Sequence, residues 1–164
     1  MIEDKFSTKK DLTDKIIPQI RSMNREDVDE VYIMGKGAPE FSLSDQANFW
    51  GKEELERWVR ANNEDVLLVA THENKIIAFI FAIFHTPTGL ATITNIFTKP
   101  EYRKKGIGRK LLGEAIKLLE EKGATYIDSL VHPDNEASMK LQESVGFRRG
   151  FLMRSMEKIP GSKS

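Results

Sequence analysis

The chain has 164 residues, of which 40% are apolar and 30% charged; it has no cysteine, and Lys plus Arg equals Asp plus Glu at 25 each. That length suits one domain with a core of its own, and the balanced charge supplies no global field to recruit nucleic acid or an anionic membrane. Without cysteine there is no disulfide, thiolate metal site or thiol nucleophile, and no apolar run reaches the ~20 residues of a membrane span.

The opening MIEDKFSTKKDLTDK has no apolar stretch and no small-residue cleavage site, so no secretory signal is expected, and residues 1–14 read as a polar N-terminal extension. Together with the missing cysteine, this fits a cytoplasmic protein. Ile16–Met23 (IIPQIRSM) reads as a short edge strand, because Pro18 would break a ladder in a central one. A helix follows in NREDVDEVYIMGKG, with Asn24 as N-cap and Val28, Val31, Tyr32 and Gly35 on one face. Ala38–Trp50 is mixed aromatic and polar. GKEELERWVRANN is a second helix with Leu55, Trp58 and Val59 on its apolar side and Glu53 and Glu54 in its first turn.

Val66–Phe84 holds two β-rich runs around the polar turn His72–Asn74, a hairpin signal, and Leu90–Thr98 (LATITNIFT) makes a third strand. The stretch from Gly108 to Gly123 is helical, with Leu111, Leu112, Ala115, Ile116, Leu118 and Leu119 as its apolar stripe. Thr125–Val131 is a strand reached by this helical crossover and hence parallel to its predecessor. Asn135–Gly146 is a short helix, and FRRGFLMRSMEKI reads as a final strand or pair of strands before a flexible tail, 159–164. The order predicts one α+β domain over 15–158: a mixed, mostly antiparallel sheet of six to seven strands flanked by about four helices.

One helix is charged against its own dipole. Arg103, Lys104, Lys105, Arg109 and Lys110 crowd the start of the helix after Gly108, while Glu120 and Glu121 sit near its end. Partial positive charge at a helix N-terminus disfavours bases there by about 0.3–1 kcal/mol each. A bound polyanion reverses that sign. The unpaired first-turn amides would point at it, and Gly106 and Gly108 would let it approach. The plainer alternative is a solvated basic helix end with a tight glycine turn. Neither the G-x-x-x-x-G-K-[ST] nor the G-x-G-x-x-G phosphate motif fits, since Leu111 stands at the last glycine of the latter.

The run Arg103-Lys-Lys-Gly106-Ile-Gly108 resembles the R/Q-x-x-G-x-G/A signature of the GNAT N-acetyltransferase superfamily, and the element order from about residue 16 to 157 is similar to that family's. IFTKPEYRKKGIGRKLL resembles its fourth strand, pyrophosphate loop and following helix. VHPDNEASMKLQESVGF resembles the end of its fifth strand and the helix closed by Gly146 and Phe147. The resemblance implies acetyl-CoA as cosubstrate, with no metal. It assigns backbone groups of Ile96, Phe97 and Thr98 to the pantetheine arm, and the loop of Arg103, Lys104, Lys105, Gly106, Ile107, Gly108, Arg109 and Lys110 to the pyrophosphate. Asn135 matches a cofactor-contacting asparagine and is equally explained as an N-cap; Ser138 lies nearby.

The expected acid and base are missing. Where the family often has a strand glutamate this chain has Thr94, and where it often has a tyrosine acid it has Gln142. His132 could act as a base at the end of the fifth strand, although a strand-end histidine before proline is more often a solvated capping residue. His85 and His72 read as surface residues, and three scattered histidines make no metal site. No catalytic residue is therefore assigned. In the acceptor region implied by the resemblance, Phe41, Phe49 and Trp50 are candidate walls and Asp45 or Glu40 candidate amine anchors, with core packing the better reading for Phe49 and Trp50. The expectation is direct acetyl transfer to a primary amine on a small molecule or a protein. A non-catalytic acyl-CoA sensor on the same fold is the alternative, and the sequence leaves a homodimer open.

Overall fold

The structure, a computed structural model, describes residues 16–42, 49–61, 64–158 and 160–161. The expectations for residues 1–14, for Asp45 and for the tail at 159 and 162–164 lie outside the described residues. A single five-stranded sheet runs in the order β1 (Gln19–Ser22), β2 (Val66–His72), β3 (Lys75–His85), β4 (Leu90–Thr98), β5 (Tyr126–Ser129). The first four strands are antiparallel neighbours, and β5 lies parallel to β4. The helices are α1 (Val28–Lys36), α2 (Lys52–Ala61), α3 (Ile107–Glu121) and α4 (Glu136–Glu143). The link β4–α3–β5 is the crossover that a parallel pair requires.

The sheet is covered on both faces, which explains the unbroken apolar run of β3. On one face α3 buries Ile107, Leu111, Leu112, Ala115 and Leu119 against Ala78, Ile80, Ala82, Ala91 and Ile93. On the other, Val28, Val31 and Met34 of α1 and Leu55 of α2 close over Val69, Phe79, Phe81 and Phe97. The β2–β3 turn is made by Glu73 and Asn74, both at positive φ (49° and 60°), as a two-residue turn of a right-twisted hairpin requires. His72 is therefore the last residue of β2, paired with Lys75, and not part of the turn.

Asn24 caps as expected. Its side chain accepts from the amides of Glu26 and Asp27, and Asp27 accepts from the Asn24 amide at 2.8 Å, so a 3₁₀ turn leads into α1. Asp27 is buried and gripped by Arg21 through contacts of 2.6 and 2.8 Å, which ties β1 to α1. Burial opposes ionisation of Asp27, but the Arg21 and Asn24 hydrogen bonds outweigh it and hold the carboxyl below its usual range.

The expected six to seven strands reduce to five, because 147–158 forms no strand. Phe151, Leu152 and Met153 are consecutive rather than alternating, so a single pleated face cannot bury them; all are exposed. Arg149 is drawn back to α4 by Glu136 (2.8 Å) and Glu143 (2.6 Å), which holds this stretch to the helix at its start. The Arg149 hydrogen bond keeps the Glu143 carboxyl below its ordinary range.

Candidate functional site: a split strand pair and an amide nest

Two irregularities open a cleft in the sheet. Asn95 pairs with Phe81 and Ile93 with Ala82, so Thr94 is an extra residue, a β-bulge in β4. The ladder to β5 then stops at Ile93–Ser129, while β4 continues to Thr98 against β3 alone. Among the described residues no strand lies beside the outer edge of β4 from Thr94 to Thr98, so its backbone groups there are open to an extended segment.

The chain leaves this edge through a 3₁₀ turn at Pro100–Tyr102 and enters α3 by two left-handed residues, Lys104 (φ 60°) and Gly106 (φ 77°, ψ 4°). A Cβ on Gly106 would meet nothing within 4 Å, so glycine is needed there for its backbone conformation. Gly108 is needed for close approach, since its Cβ would lie 3.3 Å from Leu141 of α4 and 3.5 Å from Thr98 Oγ1. The first intrahelical bond runs from the Lys110 amide to the Gly106 carbonyl, and among the described residues the amides from Lys104 to Arg109 take no backbone carbonyl. They form a concave set of donors beside the open end of β4. Both α1 and α2 carry acids in the first turn and a base in the last, whereas α3 has neither.

The side chains of the loop divide into two roles. Lys104, Lys105, Arg109 and Lys110 are exposed, with Lys105 Nζ 5.5 Å from the Tyr102 ring centre. Arg103 is a brace. Its Nε donates to the Thr98 carbonyl (2.9 Å), its guanidinium lies over the Phe97 ring, and it bonds to Glu40 at 3.1 Å. Arg103, expected among the phosphate contacts, and Glu40, expected among the amine anchors, are paired to each other. Ile107 is a buried core residue that contributes only its backbone to the loop, and Ile96 packs toward α3.

On α4, Asn135 is the N-cap, accepting from the Ser138 amide at 3.1 Å, and Ser138 Oγ accepts from Gln142 Nε2 at 3.2 Å. Among the described residues the Asn135 side-chain nitrogen, which carries two donors, meets no acceptor. Gln142 is buried, and Thr94 Oγ1 donates to the Phe81 carbonyl at 3.2 Å. Both residues at the expected acid and base positions thus serve the fold's own hydrogen bonds. His132 is exposed and holds a turn, with Nδ1 accepting from the Asp134 amide (3.3 Å). His85 Nδ1 contacts Thr88 Oγ1 at 2.8 Å.

On the α1/α2 face, Phe49 and Phe41 pack onto Phe79, so both are core. Trp50 is half-exposed, bonds to Asn95 Oδ1 on β4 (2.9 Å) and meets Trp58 edge to face. With Glu54, Arg57, Asp65 and Ile83 these two rings line a pocket of 290 Å³. Trp58 Nε1 and the Phe84 amide both donate to Asp65 (2.7 and 2.9 Å), which fixes that wall.

Residues 34–147 match the model of the Acetyltransferase (GNAT) family. The chain belongs to this family. Among curated proteins, the ribosomal protein bS18-alanine N-acetyltransferase of Escherichia coli (strain K12) is 35% identical over 85 residues, 52% of this chain and 56% of that protein. The chain thus spans about half the length of such curated relatives. The spermidine N(1)-acetyltransferase of Thermoplasma acidophilum is 25% identical over 144 residues, covering 79% of this chain and 88% of its own. Among solved structures, AAC(6′)-Iy in complex with the bisubstrate analogue CoA-S-monomethyl-acetylneamine superposes with a TM-score of 0.69 at 20% identity, covering 88% of this chain and 99% of its own. That likeness supports the GNAT fold. Among the described residues no group of His, Cys, Asp and Glu could hold a metal ion, and no helix is long and apolar enough to cross a membrane.

Proposed function

We propose that this GNAT chain is an acetyl-CoA-dependent N-acetyltransferase that transfers acetyl directly to a primary amine of a small molecule or a protein. The carrying observation is the meeting of the amide nest at Lys104–Arg109 with the unpaired edge of β4 at Thr94–Thr98. A pyrophosphate fits the first and an extended amide-bearing arm fits the second.

The residues fit coenzyme A by their own chemistry. Gly106 leaves open space above the nest, and the four exposed cations there face no acid in the first turn of α3. Lys104, Lys105, Arg109 and Lys110 would hold the phosphates; Ile96, Phe97 and Thr98 would offer backbone groups to the arm; Asn135 and Ser138 border it from α4. The cosubstrate supplies the acetyl group as a thioester. Arg103 keeps nest and strand end in register by binding the Thr98 carbonyl. The names of the relatives support an amine acceptor, and they divide between a protein α-amine and a polyamine. The reading keeps residues 15–158 as one catalytic domain and retains the cytoplasmic location.

One observation favours the alternative of an acyl-CoA sensor: Thr94 and Gln142 are committed to internal hydrogen bonds. A thiol-release assay with acetyl-CoA separates the two. The panel is an alanine-initiated peptide, a lysine peptide, spermidine and an aminoglycoside. Amine-dependent release of coenzyme A is expected. Tight binding of acetyl-CoA with no release above the amine-free rate for any acceptor overturns the enzyme in favour of the sensor.

A further inference from the structure

β5 carries a carboxylate that neither fold nor cosubstrate loop uses. Asp128 stands opposite Thr92, one pair before the β4–β5 ladder ends at Ile93–Ser129. Its neighbour Ile127 packs into the core beneath α3, so by strand alternation Asp128 faces the α1/α2 side. Thr92 lies next to it on that face, and Ile83 of β3 lies next to Thr92. Ile83 is a wall of the Trp50–Trp58 pocket. Neighbouring strands lie ~4.8 Å apart, so the row Ile83–Thr92–Asp128 carries the face from the aromatic pocket to the base of the cleft in about 10 Å.

Asp128 Oδ1 is shielded from solvent and has no hydrogen-bond partner, alone among the buried side-chain oxygens and nitrogens of the described residues. Native structures satisfy such atoms, so an unmet acceptor at the base of the cleft, one pair before the β4–β5 ladder ends, is open to a donor. A carboxylate oxygen only accepts hydrogen bonds, and the donors that bind it most strongly are charged N–H groups.

We infer that Asp128 anchors the acceptor's amine, and that the acceptor is a cationic primary amine whose body rests against Trp50 and Trp58. This rests on the acetyltransferase reading. The ammonium docks on Asp128 and gives one proton to water, leaving a neutral amine. Its nitrogen forms the C–N bond to the acetyl carbon as the thioester C–S bond breaks, and the second proton leaving nitrogen ends on the departing sulfur. Amide and thiol are the products, and Asp128 is unchanged.

The test compares wild type, Asp128→Asn and Asp128→Ser, each checked for an unaltered thermal midpoint, with spermidine and an alanine-initiated peptide as acceptors. Acetyl-CoA affinity by calorimetry is expected within twofold of wild type in both variants. The acceptor KM is expected to rise at least tenfold, with kcat changing less than threefold. An acceptor KM within twofold of wild type overturns the assignment, as does a parallel loss of acetyl-CoA affinity, which marks a structural role. If wild type binds acetyl-CoA but neither binds nor acetylates either amine, the anchor fails while the cosubstrate site stands. If wild type does not bind acetyl-CoA, the acetyltransferase reading fails and the anchor falls with it.

Discussion

Replacing Gly106 by Asp, with Gly106→Asn as its neutral partner, separates the charge of the nest from its backbone shape. Gly106 sits at φ 77° and ψ 4° with open space where a Cβ would lie, so either side chain can be accommodated without collision. Each pays a left-handed backbone cost of about 1–2 kcal/mol, and Asn and Asp are the side chains that best tolerate that region. The two variants should therefore lose the same few degrees of thermal midpoint, at about 2–4 °C per kcal/mol in a domain of this size. They differ in one charge. A carboxylate 4 Å from a phosphate charge is repelled by about 4 kcal/mol at an effective dielectric of 20. Halving this for salt and solvent at an exposed loop leaves about 2 kcal/mol, or roughly 30-fold in affinity. Calorimetric titration with acetyl-CoA at low ionic strength reads the difference directly. Equal affinity of the Asp and Asn variants refutes the argument that phosphates occupy this nest.

Three further outcomes follow from other parts of the fold. Gly35→Ala in α1 would place a Cβ 2.1 Å from Phe49 Cε1, and this overpacking should cost about 1–3 kcal/mol in urea unfolding; an unchanged midpoint would show that Phe49 does not sit there. Arg103→Ala should change stability by under about 1 kcal/mol, because its ion pair with Glu40 is partly exposed, yet weaken acetyl-CoA several-fold by releasing the loop from Thr98; unchanged affinity would remove its bracing role. Asp27→Asn should cost about 1–3 kcal/mol at pH 7. The folded carboxyl of Asp27 lies below its unfolded range near 3.9, so its stabilisation is complete above that range and lost as pH falls through the folded value. The gap between wild type and variant should close below about pH 4, and a gap constant from pH 7 to pH 3 would contradict the Arg21–Asp27 account.

The loop at Arg103–Lys110 is legible because it breaks a local rule: bases crowd the start of a helix whose dipole disfavours them, beside two glycines that mark a tight turn. Capping by Asn24 and Asn135 was readable for the opposite reason, as local chemistry agreeing with local geometry. Features set by register were hidden. Nothing in LATITNIFT marks Thr94 as the bulged residue, since a bulge depends on what stands across the ladder. The partner of Arg103 was equally out of reach, because Glu40 comes from a turn 63 residues earlier. The expected final strand does not form: FLM is apolar enough for β-structure, but it lacks alternation, and Arg149 commits its start to α4. Asp128 carried no sequence signal, because a carboxylate in a short strand looks like any solvent-facing residue until Ile127 fixes which face it takes.

The central claim is that the amides of Lys104–Arg109 and the open edge of β4 together receive a pyrophosphate-bearing arm. Backbone amide resonances followed during titration with coenzyme A test it most directly. The largest shifts should fall on Gly106, Ile107, Gly108 and Arg109, followed by Thr94 to Thr98, and should saturate together. No shifts at millimolar coenzyme A, or shifts confined to residues outside the loop and β4, would contradict the account.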